Sequence, residues 1–299
     1  MQKIRCAILG TGNIGTDLLM KISRSDYLEV GIFVGRRADS PGILFAKKMG
    51  ITTSTESVDA IVKDPDCCQI VFDCTSAAQH IKNAPIFERL GKFVVDLTPA
   101  QVGKFCVPAL NLEESLNANN VNMITCAGQA TIPIINAILS SFPDGERPEY
   151  VETVSVIASK SAGIGTRDNI DEFTQTTKNA IMKFSNVPEA KSIIILNPAE
   201  PPIRMHNTIY IPSVDSDIEL IRKNVDTASK KIREYASGFK TVFPPEVQNG
   251  TITTMIEVEG SGDFLPRYSG NLDIINCAAV NVAENWACRC AEVKAVPSD

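Results

Sequence analysis

The chain has 299 residues, 44% of them apolar and 21% charged, with a formal net charge of −6. These proportions are those of an ordinary globular chain able to bury a sizeable core, and the acidic balance speaks against a nucleic-acid or anionic-membrane partner. No apolar run approaches the ~20 residues of a membrane-spanning helix, no signal-peptide pattern is read, and nine cysteines at irregular spacing read as reduced thiols of a cytoplasmic protein.

Strand-like and helix-like segments alternate through the first half. Ile4–Leu9 is an apolar strand ended by glycine, and Thr16–Ser25 has helical spacing through Leu18, Leu19 and Ile22. Leu28–Val34 is a second strand. Pro41–Met49 is a helix with Ile43, Leu44, Ala46 and Met49 on its inner face, and Ser57–Val62 is helical. Gln69–Asp73 and Phe93–Leu97 are strands apolar on both faces, separated by a helix over Ala84–Leu90 with Pro85 in its first turn. Asn122–Thr125 is the last strand of this half. Continuous apolar strands with helices between them indicate an α/β fold, a doubly wound parallel sheet of Rossmann type. The second half differs: strands at Tyr150–Ile157, Ser192–Leu196, Thr241–Phe243 and Ile252–Glu259 flank helices at Ile170–Phe184 and Glu219–Tyr235. The latter presents Leu220, Ile221, Val225, Ala228 and Ile232 on one face. That order suggests an α+β domain, closed by a helix over about Leu272 to Val293.

The first motif with chemical content is Gly10-Thr11-Gly12-Asn13-Ile14-Gly15. It matches G-x-G-x-x-G between a strand and a helix, the context that makes the pattern a dinucleotide fingerprint. Gly10 permits the tight turn, Gly12 leaves room for a pyrophosphate, and Gly15 lets helix and strand pack closely. Free N–H groups at the helix start suit the phosphates. At the end of the second strand stands Val34-Gly35-Arg36-Arg37-Ala38-Asp39. Arg36 and Arg37 are suited to a 2′-phosphate, so NADP is expected to be tolerated beside NAD, with Asp39 in reach of the ribose; the alternative is a solvated pair of arginines.

Among the cysteines, Cys126 stands apart. The run Asn122-Met123-Ile124-Thr125-Cys126-Ala127-Gly128 passes from strand through a small-residue turn into a helix, with Pro133 in its first turn. A thiol near a helix N-terminus is expected to have a lowered pKa and to act as a nucleophile, and the neighbouring N–H groups can stabilise an oxyanion. A thiolate next to a nicotinamide points to aldehyde oxidation through an acyl-thioester. The alternative is a buried structural cysteine, the reading adopted for Cys6, Cys74 and Cys277. The Ser159–Arg167 loop, rich in hydroxyls and basic residues, can hold phosphates through its N–H groups and Arg167; the alternative is a plain solvated loop. Asn197–Pro202 reads as a rigid turn, Asp73-Cys74-Thr75-Ser76 ends a strand where ligands of open sheets collect, and His80 reads as a satisfied helix histidine. With His80 and His206 the only histidines, no metal site is expected.

Several blocks together resemble the acylating acetaldehyde dehydrogenases of aromatic meta-cleavage pathways. They are Gly10–Asp17, Ile70–Ala77, Val95–Ala100, Cys106–Leu112, Asn122–Pro133, Ser159–Phe173, Leu196–Pro202, Glu257–Glu259 and Leu265–Ile274. The resemblance implies CoA-dependent oxidation of acetaldehyde, and of propanal, to the acyl-CoA with NAD. It implies that Cys126 carries the acyl group. It also implies cofactor contacts from Thr11–Ile14, from Asn271, and from Ser161, Ala162, Gly163, Ile164, Gly165, Thr166, Arg167, Asp168 and Asn169. The implied architecture is a dinucleotide-binding domain over 1–130, a catalytic and dimerisation domain over 131–271, and a final helix within 272–299 returning to the first. The implied partners are a second copy of the chain, in a homodimer or larger complex, and 4-hydroxy-2-oxovalerate aldolase. Asn207 stands where many relatives carry an aspartate thought to assist the thiols, and an amide is not a useful proton acceptor. His206 is then a candidate substitute base, its ordinary pKa of ~6.5 suiting the task. Two other functions remain: a phosphate-dependent semialdehyde dehydrogenase, disfavoured by the scarcity of histidine, and a non-enzymatic dinucleotide-binding scaffold for the aldolase.

Overall fold

The computed structural model describes residues 3–143, 146–163, 166–167, 169–213 and 217–295. The chain divides into two compact units, one of Met1–Met123 with Asn276–Asp299 and one of Ile124–Ile275.

The first unit is a parallel sheet. Its described strands are β1 (Ile4–Leu9), β2 (Leu28–Val34), β3 (Thr53–Ser54), β4 (Ile70–Asp73), β5 (Phe93–Asp96), β6 (Lys104–Phe105) and β7 (Asn120–Asn122). They run in the order β3-β2-β1-β4-β5-β7-β6, and every pair is parallel. The helices are α1 (Asn13–Ser23), α2 (Pro41–Lys48), α3 (Asp59–Lys63), α4 (Ala77–Arg89) and α5 (Pro108–Ser115). Every residue of β4 and β5 is buried, the burial expected of strands apolar on both faces. Leu9, Val34, Ile61, Val71, Phe87 and Val94 share one core cluster. The last helix, α9 (Gly270–Ala295), belongs to this unit from Asn276 onward. There Asn276 Nδ2 donates to Asp17 Oδ2 at 2.8 Å and to Ile14 O at 3.2 Å. Trp286 stacks on Phe93 with centroids 4.9 Å apart.

The second unit is a mixed sheet in the order β11-β12-β10-β8-β9. The strands are β8 (Tyr150–Ala158), β9 (Glu189–Asn197), β10 (Met205–Pro212), β11 (Phe239–Gln248) and β12 (Thr251–Val258). Only β8 and β9 pair in parallel; the other pairs are antiparallel. Burial alternates along β8, β10 and β12, as expected where one sheet face is covered. Helix α6 (Cys126–Leu139) packs on β10 and β12, α7 (Ile170–Ser185) on β9, and α8 (Ile218–Tyr235) on β11.

Several elements differ from the sequence expectation for identifiable reasons. Helix α4 starts at Ala77, seven residues before Ala84, because Ser76 caps it by accepting from Gln79 N at 3.4 Å. Pro85 therefore lies inside the helix, on an exposed face where solvent can serve the carbonyl it leaves unpaired. Strand β7 ends at Asn122 because Ile124 takes a positive φ of 64°, which no strand continues. In α8 the buried face is Ile221, Val225, Ser229 and Ile232, and Leu220 is exposed. Strand β10 has no counterpart among the sequence-predicted elements.

Candidate active site

In the first unit the glycine motif forms the turn between β1 and α1. Gly10 has φ +113°, and a Cβ there would sit 2.5 Å from the Cys74 carbonyl oxygen. A Cβ on Gly15 would sit 2.0 Å from Gly10 O. Both positions therefore require glycine for packing within the protein itself. Gly12 is different: nothing lies within 4 Å of where its Cβ would be. It is the N-cap of α1, no side chain caps that helix, and its first turn carries no acidic residue. Unclaimed N–H groups, the positive end of the helix dipole and open space in front of Gly12 fit a dinucleotide pyrophosphate. Thr11 and Asn13 lie on the same turn, and Thr11 Oγ1 is 3.2 Å from Ser40 Oγ, the cap of α2.

At the end of β2, Arg37 and Asp39 pair with each other in a two-pronged contact of 3.0 and 3.1 Å. Both are fully solvated, and each stabilises the other's charged form, the guanidinium pKa moving up and the carboxyl pKa down. Arg36 is exposed and makes no ion pair among the described residues. Of the two arginines, Arg36 is thus the one with its charge uncommitted.

In the second unit Cys126 occupies the first turn of α6. The approach to it is strained: Ile124 is β-branched and buried, yet holds a φ of 64°, a conformation costing about 1–3 kcal/mol. Thr125 caps the helix, accepting from Gly128 N at 3.0 Å, and its hydroxyl lies 2.7 Å from Thr177 Oγ1 on α7. Thr177 donates onward to Phe173 O at 2.8 Å, so Thr125 is the donor toward Thr177. The Ile124 side chain also needs Gly128, where a Cβ would lie 2.8 Å from Ile124 Cγ2. A sharp, strained strand-to-helix turn that fixes a nucleophile at a helix start is a known catalytic arrangement.

The electrostatics of Cys126 correct the expectation of a ready thiolate. The residue is 8% exposed, and burial pushes the thiol up to about 12 although the Ala127 and Cys126 N–H groups favour the anion. Desolvation outweighs the helix start. Alkylation of Cys126 by iodoacetamide, followed by mass spectrometry, is therefore expected to accelerate about tenfold per pH unit from pH 7 to 9, because only the thiolate reacts. A plateau below pH 8 would contradict the assigned burial.

Asn207 lies on β10, fully buried, and Ser155 Oγ on β8 donates to its Oδ1 at 2.7 Å. Its Nδ2 has no hydrogen-bond partner among the described residues. Asn207 is thus a buried donor suited to a ligand acceptor. His206, the candidate substitute base, is on the opposite face of the strand, 3.1 Å from Glu257. Side chains alternate along a strand, so these neighbours cannot serve the same site, and His206 does not replace the missing acid. In the Ser159–Arg167 loop, Ser161 and Ala162 are buried and Gly163 is exposed. Arg167 folds back on the loop itself, donating to Ser159 O at 2.9 Å, Ser159 Oγ at 2.8 Å and Ala162 O at 3.2 Å. Thr166 and Asn169 are half-buried, whereas Ile164, Gly165 and Asp168 lie outside the described residues. Asn271, in the first turn of α9, is buried with its Oδ1 unpartnered among the described residues. Asn197–Glu200 and Pro202, with Ala158–Lys160, line one hollow of ≈ 190 Å³, bridged by a Lys160–Glu200 ion pair of 2.5 Å.

Sequence reading did not foresee the strained Ile124, the Thr125–Thr177 tie or the Ser155–Asn207 pair. Thr125 followed three residues later by Gly128 gives a faint cap signal. Nothing in the sequence marks Ile124. Among the described residues no helix is long and apolar enough to cross a membrane.

The family model described as "Prokaryotic acetaldehyde dehydrogenase, dimerisation" matches residues 126–266. The acetaldehyde dehydrogenase of Carboxydothermus hydrogenoformans is 50% identical over 286 residues, 96% of this chain and 94% of that one. That of Desulfitobacterium hafniense is 49% identical, covering 96% of each chain. In fold, the chain is similar to aspartate semialdehyde dehydrogenase II of Vibrio cholerae. The TM-score is 0.63 at 15% identity, with 96% of this chain and 99% of that one covered. A Rossmann-type sheet in a dehydrogenase implies a nicotinamide dinucleotide, consistent with the open glycine turn. With near-half identity sustained across almost its whole length, the chain belongs to the acetaldehyde dehydrogenase family of oxidoreductases.

Proposed function

We propose that the protein oxidises acetaldehyde, and propanal, to the acyl-CoA with NAD as acceptor, through a thioester on Cys126. The observation that carries this reading is a single cysteine fixed at a helix start by a strained turn and a two-threonine tie. Cys126 Sγ bonds to the aldehyde carbon, and the carbonyl electron pair moves onto oxygen, giving a thiohemiacetal oxyanion. The nicotinamide, when bound, supplies the acceptor for the hydrogen and electron pair that leave that carbon. As they leave, the electron pair on oxygen re-forms the C=O, giving the thioester on Cys126. The CoA thiol then attacks the thioester, releasing Cys126 as the leaving thiolate and its own proton to solvent. With an amide at position 207 and His206 turned away, the proton of Cys126 goes to solvent hydroxide, so turnover should climb with pH. The N–H groups of Ala127 and Cys126, which favour the thiolate, also support an oxyanion. Asn271 Oδ1 is a suitable acceptor for a carboxamide N–H, and Gly12 leaves space for the pyrophosphate. The cofactor role of the Ser161–Asn169 loop, a cytoplasmic location, self-association through the 126–266 region and delivery of aldehyde by 4-hydroxy-2-oxovalerate aldolase complete the proposal. The aldolase rests on family resemblance alone.

The test is the purified protein with acetaldehyde, propanal and butanal, with each cofactor, with CoA, with phosphate and with neither. CoA-dependent turnover is expected. Phosphate-dependent turnover would assign a semialdehyde-type reaction. No turnover with any short aldehyde would favour the scaffold reading, which has in its favour the amide at 207 and a thiol pushed up to about 12. In the same assay NADP is expected to sustain turnover within about tenfold of NAD, and Arg36→Ala to raise KM for NADP about tenfold while sparing NAD, by loss of one charge-assisted contact. A hundredfold preference of the wild type for NAD would remove Arg36 from the cofactor site.

A further inference from the structure

Strands β4 and β5 end in Asp73 and Asp96, which are register partners in the parallel sheet and are both fully buried. Two carboxylates side by side without solvent are strongly unfavourable unless a cation lies between them. His80, from α4 and equally buried, occupies that place. Its Nδ1 is 2.9 Å from Asp73 Oδ2 and its Nε2 is 3.3 Å from Asp96 Oδ2. Asn120 of β7 brings its amide to 3.1 Å from Nε2, and its buried Oδ1 has no partner among the described residues. Turned about its Cβ–Cγ bond, that amide presents Oδ1 to an Nε2–H, and Nδ2 takes the unpartnered place instead. The neutral alternative sets an Nε2 lone pair against the Asp96 carboxylate. The contacts therefore fit a doubly protonated ring. Burial opposes that charge, but the carboxylates of Asp73 and Asp96 outweigh it and raise the His80 pKa.

The triad reaches the dinucleotide turn through short backbone links. Asp73 Oδ1 accepts from Thr75 N at 3.0 Å and so shapes the Cys74–Ser76 turn. The Cys74 carbonyl is the group against which Gly10 packs without room for a Cβ. On the other side Asp96 Oδ1 accepts from Thr98 N at 2.8 Å. Asn122 Nδ2 bonds both Asp96 Oδ2 at 2.7 Å and Thr98 O at 2.9 Å, fixing the turn after β5. Both turns lie at the carboxyl ends of the strands, where open sheets of this type receive their ligand.

We infer that His80 is a positioning residue: held as a cation between Asp73 and Asp96, it sets the turns after β4 and β5 and thereby the affinity of the glycine turn for dinucleotide. The inference rests on the reading that Gly10–Gly15 holds that dinucleotide. The probe is NAD, titrated into the full chain by calorimetry, with melting curves confirming that each variant is folded. His80→Gln keeps a hydrogen-bonding side chain but removes the positive charge between the two carboxyl groups, so the titration is run at pH 8.5, above the Asp96 carboxyl that burial pushes up to about 6. It is expected to weaken NAD binding about tenfold, the size of a typical coupling between neighbouring sites, and to act on KM for NAD rather than on kcat. The double variant His80→Gln/Asp96→Asn restores the net charge of the triad and is expected to recover binding to within about threefold of wild type. Binding of His80→Gln within twofold of wild type overturns the inference. So does a double variant as weak as the single one, because a merely structural loss is not cured by removing a carboxylate. If the single variant does not fold, the double variant decides alone: near-wild-type affinity supports the inference and a tenfold loss overturns it. A wild type that binds no NAD sinks the reading of the glycine turn, an outcome distinct from a wild type that binds while His80→Gln is unaffected.

Discussion

Cys126→Ser is expected to lower acyl-CoA formation by about 10⁴-fold or more, the scale on which loss of a covalent nucleophile is felt. A serine hydroxyl has a far higher pKa than a thiol and is a poorer nucleophile and leaving group, so both formation and breakdown of the acyl intermediate suffer. Because the replacement is nearly isosteric in a site 8% exposed, the melting temperature should hardly move. NAD binding should stay within about twofold. Acyl-CoA measured by chromatography, beside a calorimetric titration of NAD, separates the two effects. Residual turnover above a hundredth of wild type would show that the acyl group is carried elsewhere. Cys106 offers a control: it too is buried, with its thiol pushed up to about 11 by desolvation. It lies in no strained turn, and Cys106→Ser should leave turnover within about threefold.

The second large effect separates glycines that serve the fold from the one proposed to serve the ligand. Gly15→Ala puts a methyl 2.0 Å from the Gly10 carbonyl oxygen, a backbone atom that cannot swing aside. About 3 kcal/mol of stability should be lost from the first unit. Gly12→Ala meets nothing within 4 Å, at a φ of −80° that alanine adopts freely. Stability should change by less than about 0.5 kcal/mol. The methyl nevertheless enters the space in front of the helix start, and NAD affinity should fall about a hundredfold, the equivalent of roughly 2.7 kcal/mol. Denaturation monitored by circular dichroism and NAD titration of the same two variants make the comparison. A Gly12→Ala protein that binds NAD as wild type does would remove the pyrophosphate from this turn.

Much of this was legible in the chain because it depends on local rules. Strands β4 and β5 are apolar at almost every position, so burial on both faces followed from composition alone. The glycine turn was legible because backbone geometry there demands residues without a side chain, and Gly10 and Gly15 meet that demand within a dozen positions. The place of Cys126 at a strand-to-helix change was equally visible, since Thr125 and Gly128 mark the start of α6.

What the chain did not disclose involves residues far apart in sequence. The acidity of Cys126 is set by the packing around α6, and local pattern suggested the opposite sign because helix dipoles are local and desolvation is not. The role of His206 depended on which face of β10 it takes, and that strand was not foreseen at all. His80 read as an unremarkable helix residue until the sheet brought Asp73 and Asp96 to its two nitrogens. From its sequence alone, this protein's parallel sheet, its glycine turn and the place of Cys126 at a helix start are determined, because each follows from short-range sterics and hydrophobic periodicity. Which groups are charged and which face one another was decided only by the tertiary structure, because desolvation and Coulomb interactions depend on distances that folding creates.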